Sequence, residues 1–321
     1  MQLPPQAEHI LSLCHEHGLQ VSAADLELII AGASGRLVMR VHTPDSPLIG
    51  VYWTGARADN NSYIPSIRGL AAAHVPVPHL IAYKDEGQGG GTCLVEDLGA
   101  CDLLSRKGTP WQDLQPLYES ALKAVLQLHR LQPDWELQPA FDAAMYRWEQ
   151  SYFAEHFLGR HLALSADSFL QLPVTQQVAD FLASLPKVPV HRDFQSQNIM
   201  LRGNLAYLID FQGMRLGRAE YDVASLAYDP YAELTEPQAE AVIACYEELS
   251  GEPLNPDIFN ACAMQRLMQA LGAYANIGYN QQRDWYLKMI PPAVKALRSV
   301  ASRTSPESIA YPLAQWLLNH V

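Results

Sequence analysis

Cysteine is scarce and poorly placed for cross-linking. The five in 321 residues (Cys14, Cys93, Cys101, Cys245 and Cys262) are scattered, odd in number and never spaced as a Cys-x-x-Cys pair. This argues against a disulfide framework or a zinc site and fits reduced, buried thiols in a cytoplasmic protein. No stretch approaches about 18 uncharged apolar residues, so no membrane-spanning helix and no membrane partner are expected. The opening Met-Gln-Leu-Pro-Pro has neither a basic segment nor an apolar one behind it, so no export signal is expected. Basic residues are also few. Lys and Arg number 22 against 34 Asp and Glu, a formal charge of −12, which disfavours nucleic acid as a partner. Hydrophobic residues, at 49% of the chain, suffice for a core, and the length suits about two domains.

The first hundred residues read as a small β-rich unit. Ala7 to His17 carries Ile10, Leu11 and Cys14 at helical spacing and stops at Gly18. Leu26–Ala31, Arg36–Val41 and Leu48–Trp53 read as short strands, broken by Gly32-Ala33-Ser34-Gly35 and Thr43-Pro44-Asp45-Ser46-Pro47. A helix over 60–73 follows. Strands at His79–Tyr83 and Thr92–Glu96 are expected to be joined by a loose run, Gly87 to Gly91. Beyond Leu98-Gly99 the chain turns helical. Leu114, Leu117, Leu122, Val125, Leu126 and His129 share one face, and Thr235-Glu236-Pro237-Gln238 reads as a capping box for a helix ending near Gly251. Helices over 255–276, 282–301 and 307–320 complete the pattern. The expected organisation is an N-lobe over 1–95, a hinge over 96–100, and a helical C-lobe over 101–321 interrupted by one β-hairpin.

That hairpin carries the chemistry. His191-Arg192-Asp193-Phe194-Gln195-Ser196-Gln197-Asn198 precedes the apolar Ile199-Met200-Leu201, and Leu208-Ile209 leads into Asp210-Phe211-Gln212. Two acids and an amide at neighbouring strand ends suit phosphoryl transfer. One carboxylate orients and deprotonates an acceptor hydroxyl, while an amide oxygen and the second carboxylate hold Mg²⁺ against the phosphates. Hard oxygen donors match Mg²⁺.

The HxDxxxxN and D-F-x spacing resembles the protein-kinase-like phosphotransferases, and the two-lobe layout agrees. HRDFQSQN, LIDFQGMR, YDVASLAYDPY, RLMQALGAY and IPPAV resemble the aminoglycoside-phosphotransferase-type family, in particular bacterial enzymes that phosphorylate the anomeric hydroxyl of cell-wall amino sugars. The resemblance is densest over residues 190–295. It implies an α+β bilobal kinase-like fold, ATP and Mg²⁺ as cofactors, and a small-molecule sugar, N-acetylmuramate or N-acetylglucosamine, as acceptor. Kinases for an aminoglycoside, choline or another amino alcohol, and a non-catalytic nucleotide-binding pseudokinase, are the alternative readings. Asp210-Phe211-Gln212 in place of D-F-G, and the absence of an A-P-E motif, set the chain apart from protein kinases.

By that resemblance Asp193 would be the catalytic base, and Asn198 and Asp210 the Mg²⁺ ligands. Glu96 and Leu98 would read the adenine edge through their backbone, Ser34 and Gly35 would approach the phosphates, and Arg36 would supply positive charge. The lysine expected in the third strand is missing from Val51-Tyr52-Trp53, and its partner glutamate is missing from Ala58-Asp59-Asn60-Asn61. Acceptor contacts are assigned to Gln195, Arg215, Asp229, Tyr231 and Glu149. Competing readings are a salt bridge within the loop for Arg215 and helix capping for Asp229. His191 and Asp222 are expected to brace the catalytic loop and not to react.

Overall fold

The computed structural model describes residues 4–29 and 35–321. Helix α1 (Ala7–Glu16) precedes a five-stranded antiparallel sheet of β1 (Leu26–Ile29), β2 (Leu37–Val41), β3 (Leu48–Trp53), β4 (Leu80–Gly87) and β5 (Gly90–Glu96), with α2 (Tyr63–Ala72) between β3 and β4. The strand order is β1-β2-β3-β5-β4. Alternation along the strands divides their side chains between two faces. Met39, Val41 and Leu94 bury one face against Ala7, Ile10, Leu13 and Cys14 of α1. Val51, Trp53, Cys93 and Val95 bury the other with Ile64, Ile67 and Leu70 of α2.

The glycine run between β4 and β5 is not loose. Gly87, Gln88 and Gly89 have φ of 76°, 51° and 78°, a left-handed turn that glycine adopts at little cost, and both strands extend up to it. Gly91 lies within β5 because a Cβ there would stand 2.5 Å from the Trp53 ring.

The remainder is mostly helical: α3 (Trp111–His129), α4 (Ala143–Phe153, continued as a π-helical stretch to His161), α5 (Ala166–Leu170) and α6 (Pro173–Ser184) come first. Four short strands follow, β6 (Val188–Val190), β7 (Ile199–Arg202), β8 (Leu205–Leu208) and β9 (Arg215–Gly217), then α7 (Ala219–Ala227), α8 (Glu236–Ser250), α9 (Pro256–Asn280), α10 (Ile290–Ser302) and α11 (Tyr311–His320). Helix α8 starts at the anticipated capping box and ends at Gly251 in the left-handed conformation. Two helices begin later than their apolar pattern suggests. Asp284–Met289 is a 3₁₀ segment, and α10 starts only where prolines occupy its first turn; α11 likewise starts with proline in its first turn.

The segment after β5 is held to the helical part by hydrogen bonds to β7. Leu103 N–H donates to Ile199 O at 2.8 Å, Leu201 N–H to Cys101 O at 2.8 Å, and Arg202 Nη2 to Asp97 O at 3.0 Å while also pairing with Glu96. The packing of α1 on the sheet depends on Gly50, where a Cβ would lie 2.4 Å from Ile10 Cγ2. Gly50→Ala is therefore expected to cost about 1–3 kcal/mol by overpacking, read as a lowered midpoint in thermal or urea unfolding. An unchanged midpoint would contradict this account of the α1 packing.

Candidate active site

The four short strands form two ladders, β6 with β9 and β7 with β8, so that two loops emerge side by side. The first, His191–Asn198, joins β6 to β7; the second, Ile209–Met214, joins β8 to β9. They are bonded to each other, with His191 Nε2 donating to Ile209 O at 2.9 Å and Ile209 N–H to Asn198 O at 3.1 Å. The carbonyl acceptor fixes the His191 proton on Nε2. Fully buried Asp222 on α7 accepts from His191 N–H at 2.6 Å and Arg192 N–H at 2.8 Å, and from His129 Nε2 at 3.1 Å. His191 and Asp222 thus brace the loop.

These loops border a cleft of about 880 Å³ whose walls include β2, β3, the segment after β5, α4 and α9. Asp193, Asn198 and Asp210 all line it. Asn198 donates its amide nitrogen to Asp193 O at 2.9 Å, which leaves its Oδ1 as an acceptor without an intramolecular donor among the described residues. Asp210 sits in the left-handed region at φ 64°, a conformation that costs a non-glycine residue about 1–2 kcal/mol and that fixes the direction of its carboxylate. It pairs with Arg36 and accepts from Gln212 Nε2 at 3.0 Å, while Arg36 Nη1 donates to Gln212 Oε1 at 3.0 Å. An amide oxygen and a carboxylate make a hard donor set suited to Mg²⁺, which takes few protein ligands and completes its shell with water and phosphate oxygens.

Val38, Ile49, Leu98, Met200 and Ile209 give one end of the cleft an apolar lining. Leu98 N–H has no intramolecular partner among the described residues, and Glu96 and Leu98 both border this end. Gly35 is exposed with φ 70°, and Ser34 lies outside the described residues. At the other end stand Trp148, Tyr152, Gln195, Tyr231, Tyr274 and Tyr286. Tyr231 stacks on Trp285 with centroids 5.5 Å apart.

Three residues assigned to the acceptor are not brought to the cleft wall. Arg215 is 7% exposed in the β6–β9 ladder, with its guanidinium over the Phe141 ring and its Nε donating to Gly213 O at 3.2 Å. Burial, with nearby Arg192, pulls its pKa down to about 10. Glu149 is fully buried, accepting from Tyr221 Oη at 2.9 Å and Gln265 Nε2 at 3.0 Å, and burial raises its pKa. Its neighbours on the adjacent face of α4, Trp148 and Tyr152, border the cleft instead. Asp229 accepts from Ser196 N–H at 2.7 Å, Ser196 Oγ at 2.5 Å and Tyr231 N–H at 2.9 Å, so it caps the turn of the first loop.

Arg266 is a cleft residue that sequence reasoning did not single out. It projects from α9, with Nη2 3.3 Å from Gln195 Oε1 and 3.9 Å from Asp193 Oδ1. The available signals are that it opens the RLMQALGAY segment and is the only charged residue between Asp257 and Arg283.

The profile of the phosphotransferase enzyme family matches residues 28–255. The chain belongs to that family. Among relatives of this phosphotransferase, the N-acetylmuramate/N-acetylglucosamine kinase of Pseudomonas aeruginosa is 28% identical over 297 residues, 88% of this chain and 86% of that protein. The protein of the same name from Neisseria meningitidis is 29% identical over 245 residues, 70% of this chain and 71% of its own. Among solved structures, a choline/ethanolamine kinase family protein from Mesorhizobium loti superposes with a TM-score of 0.63 at 16% identity, covering 98% of this chain and 99% of that one. An aminoglycoside phosphotransferase from Streptomyces rimosus, in complex with ADP and streptomycin, gives 0.58 at 16% identity, covering 83% and 99%. The fold is therefore the α+β bilobal kinase-like fold.

Removing the brace has a calculable cost in this phosphotransferase. Asp222→Ala would leave the buried His191 N–H, the part-buried Arg192 N–H and His129 without their acceptor, and is expected to lower stability by about 3 kcal/mol or more. Equilibrium denaturation checks it, and a loss within about 0.5 kcal/mol would contradict the anchoring role.

Proposed function

We propose that the chain is an ATP-dependent kinase that phosphorylates the anomeric hydroxyl of an amino sugar, N-acetylmuramate or N-acetylglucosamine. The observation that carries this reading is the convergence of Asp193, Asn198 and Asp210 on one cleft, in a chain whose relatives bear that kinase name. The N-lobe of 1–95, the hinge of 96–100 and the C-lobe of 101–321 enclose the nucleotide and acceptor in this scheme. Glu96 C=O and Leu98 N–H hydrogen-bond the adenine edge in the apolar end of the cleft. The Gly35 backbone and Arg36 face the phosphates, with Arg36 standing in for the absent third-strand lysine.

Asn198 Oδ1 and the Asp210 carboxylate would hold Mg²⁺, which would supply neutralisation of the phosphate charge. Asp193 orients the acceptor hydroxyl and takes its proton. The sugar O1–Pγ bond forms as the bond from Pγ to the β–γ bridging oxygen breaks, releasing ADP and leaving the proton on Asp193. An anomeric hydroxyl is more acidic than an ordinary alcohol, which suits a carboxylate base. Catalysis then rests on alignment and charge neutralisation. Gln195 and Tyr231 contact the sugar. The product, a sugar 1-phosphate, fits reuse of cell-wall sugars in the cytoplasm.

The test is to incubate the chain with ATP and Mg²⁺ plus each of N-acetylmuramate, N-acetylglucosamine, kanamycin and choline, and to locate the transferred phosphate by phosphorus NMR. The expected result is phosphate on C1 of an amino sugar. Transfer to kanamycin or choline alone, or to none, would overturn the proposal. In the same assay Asp193→Asn is expected to lower kcat by at least about 100-fold while ADP affinity, read by calorimetry, changes little. Undiminished turnover would remove the base from Asp193.

A further inference from the structure

The acceptor end of the cleft is cationic in a chain that is acidic overall. The charged side chains that face it are Arg192, Arg266 and Asp193, an excess of one positive charge among the described residues. Asp193 lies between the two guanidinium groups, with Arg192 Nη1 3.9 Å from Oδ2 and Arg266 Nη2 3.9 Å from Oδ1. Neither contact is short enough for a hydrogen bond, so the carboxylate does not use up the donors. Glu149 does not line the cleft; it accepts from Tyr221 and Gln265 and interacts with Arg192 from the buried side.

Arg266 is held rigidly. Its Nε donates to Ser225 Oγ at 3.0 Å, Nη1 to Gln269 Oε1 at 2.8 Å and Nη2 to Gln195 Oε1 at 3.3 Å, which leaves two of its five N–H groups without a partner among the described residues. Arg192 is less satisfied still. Its side chain is 17% exposed, and among the described residues its guanidinium makes no hydrogen bond and Nε is buried without a partner. Burial works against its charge, but nearby acidic groups, Asp193 first, outweigh it and raise its pKa. Its backbone is also left-handed, with φ 75°, and is pinned there by Asp222. A buried fork of unpaired donors in a fixed position is costly unless an anion completes it.

We propose that Arg192 and Arg266 form a carboxylate-recognition site for the acceptor, selecting a sugar that carries an acid group on the ring, two carbons from the one whose hydroxyl is phosphorylated. This rests on the kinase reading above and narrows its substrate class. N-acetylmuramate differs from N-acetylglucosamine by a lactyl ether at C3, one ring carbon removed from the carbon next to C1. A sugar with its anomeric hydroxyl at Asp193 therefore presents that carboxylate to the flanking guanidinium groups. A cationic acceptor meets two like charges at the same place.

Initial rates with ATP, Mg²⁺ and each of the two sugars supply the test, read as the ratio of kcat/KM for N-acetylmuramate to that for N-acetylglucosamine. The native ratio is expected to exceed one. In Arg192→Gln it falls about tenfold through KM for the acidic sugar, and Arg192→Lys, which keeps charge but not the fork, recovers part of it. The methyl ester of N-acetylmuramate, assayed on the native chain, needs no variant and is expected to lose the advantage of the free acid. A ratio unchanged in Arg192→Gln while both sugars slow equally would overturn the proposal and assign the guanidinium to phosphoryl transfer, as would an ester as good as the acid. Failure of the native chain to phosphorylate either sugar would overturn the kinase reading itself, and this inference with it.

Discussion

One buried carboxylate sets the geometry on which the rest depends. Asp222 receives two consecutive main-chain N–H groups, those of His191 and Arg192, and thereby fixes the entry of the first loop on α7. His191 then passes the constraint on by donating to Ile209 O at the start of the second loop. Residues 17 positions apart in the chain, Asp193 and Asp210, consequently line one cleft. Without a charged acceptor for those N–H groups, the left-handed backbone at Arg192 would have little to hold it.

The cleft divides its cations between two ends. Near the sheet, Arg36 pairs with Asp210, and Gln212 bridges them by accepting from one and donating to the other. This gives a physical reason for a glutamine where protein kinases have the glycine of D-F-G: its amide joins the two charged groups, which a hydrogen side chain cannot do. It also places a guanidinium close to the proposed metal ligand in a chain that has no lysine in Val51-Tyr52-Trp53. At the opposite end, Arg192 and Arg266 flank the proposed base without binding it tightly. The acidity of the whole chain is therefore a poor guide to the potential inside its cleft.

Much of this was legible in the sequence where local rules decide. The capping box at Thr235 and Gln238, the alternation in β2 and β3, and the HRDFQSQN and Asp210 spacing are all short-range signals, and they lead to the observed helix, sheet and paired loops. What was not legible depends on which way a side chain turns within a correctly anticipated element. Glu149 and Tyr152 share a helix, yet one faces the interior and the other the cleft. Arg215 was expected at the acceptor because a guanidinium fork matches a carboxylate, but pairing of β9 with β6, which no local pattern announced, buries it over Phe141. Arg266 opens the RLMQALGAY segment, yet nothing local gives it a role there, and its approach to Asp193 is a tertiary fact.

The central claim is that Asp193, Asn198 and Asp210 are gathered so that a triphosphate and its cation are held beside an acceptor. Binding of a non-hydrolysable ATP analogue, measured by calorimetry with and without Mg²⁺, tests it most directly. The account predicts that Mg²⁺ tightens binding to the native chain by about tenfold, ~1.4 kcal/mol, and that Asp210→Asn abolishes the gain while leaving Mg²⁺-free binding in place. An equal gain in the variant, or none in the native chain, would contradict it.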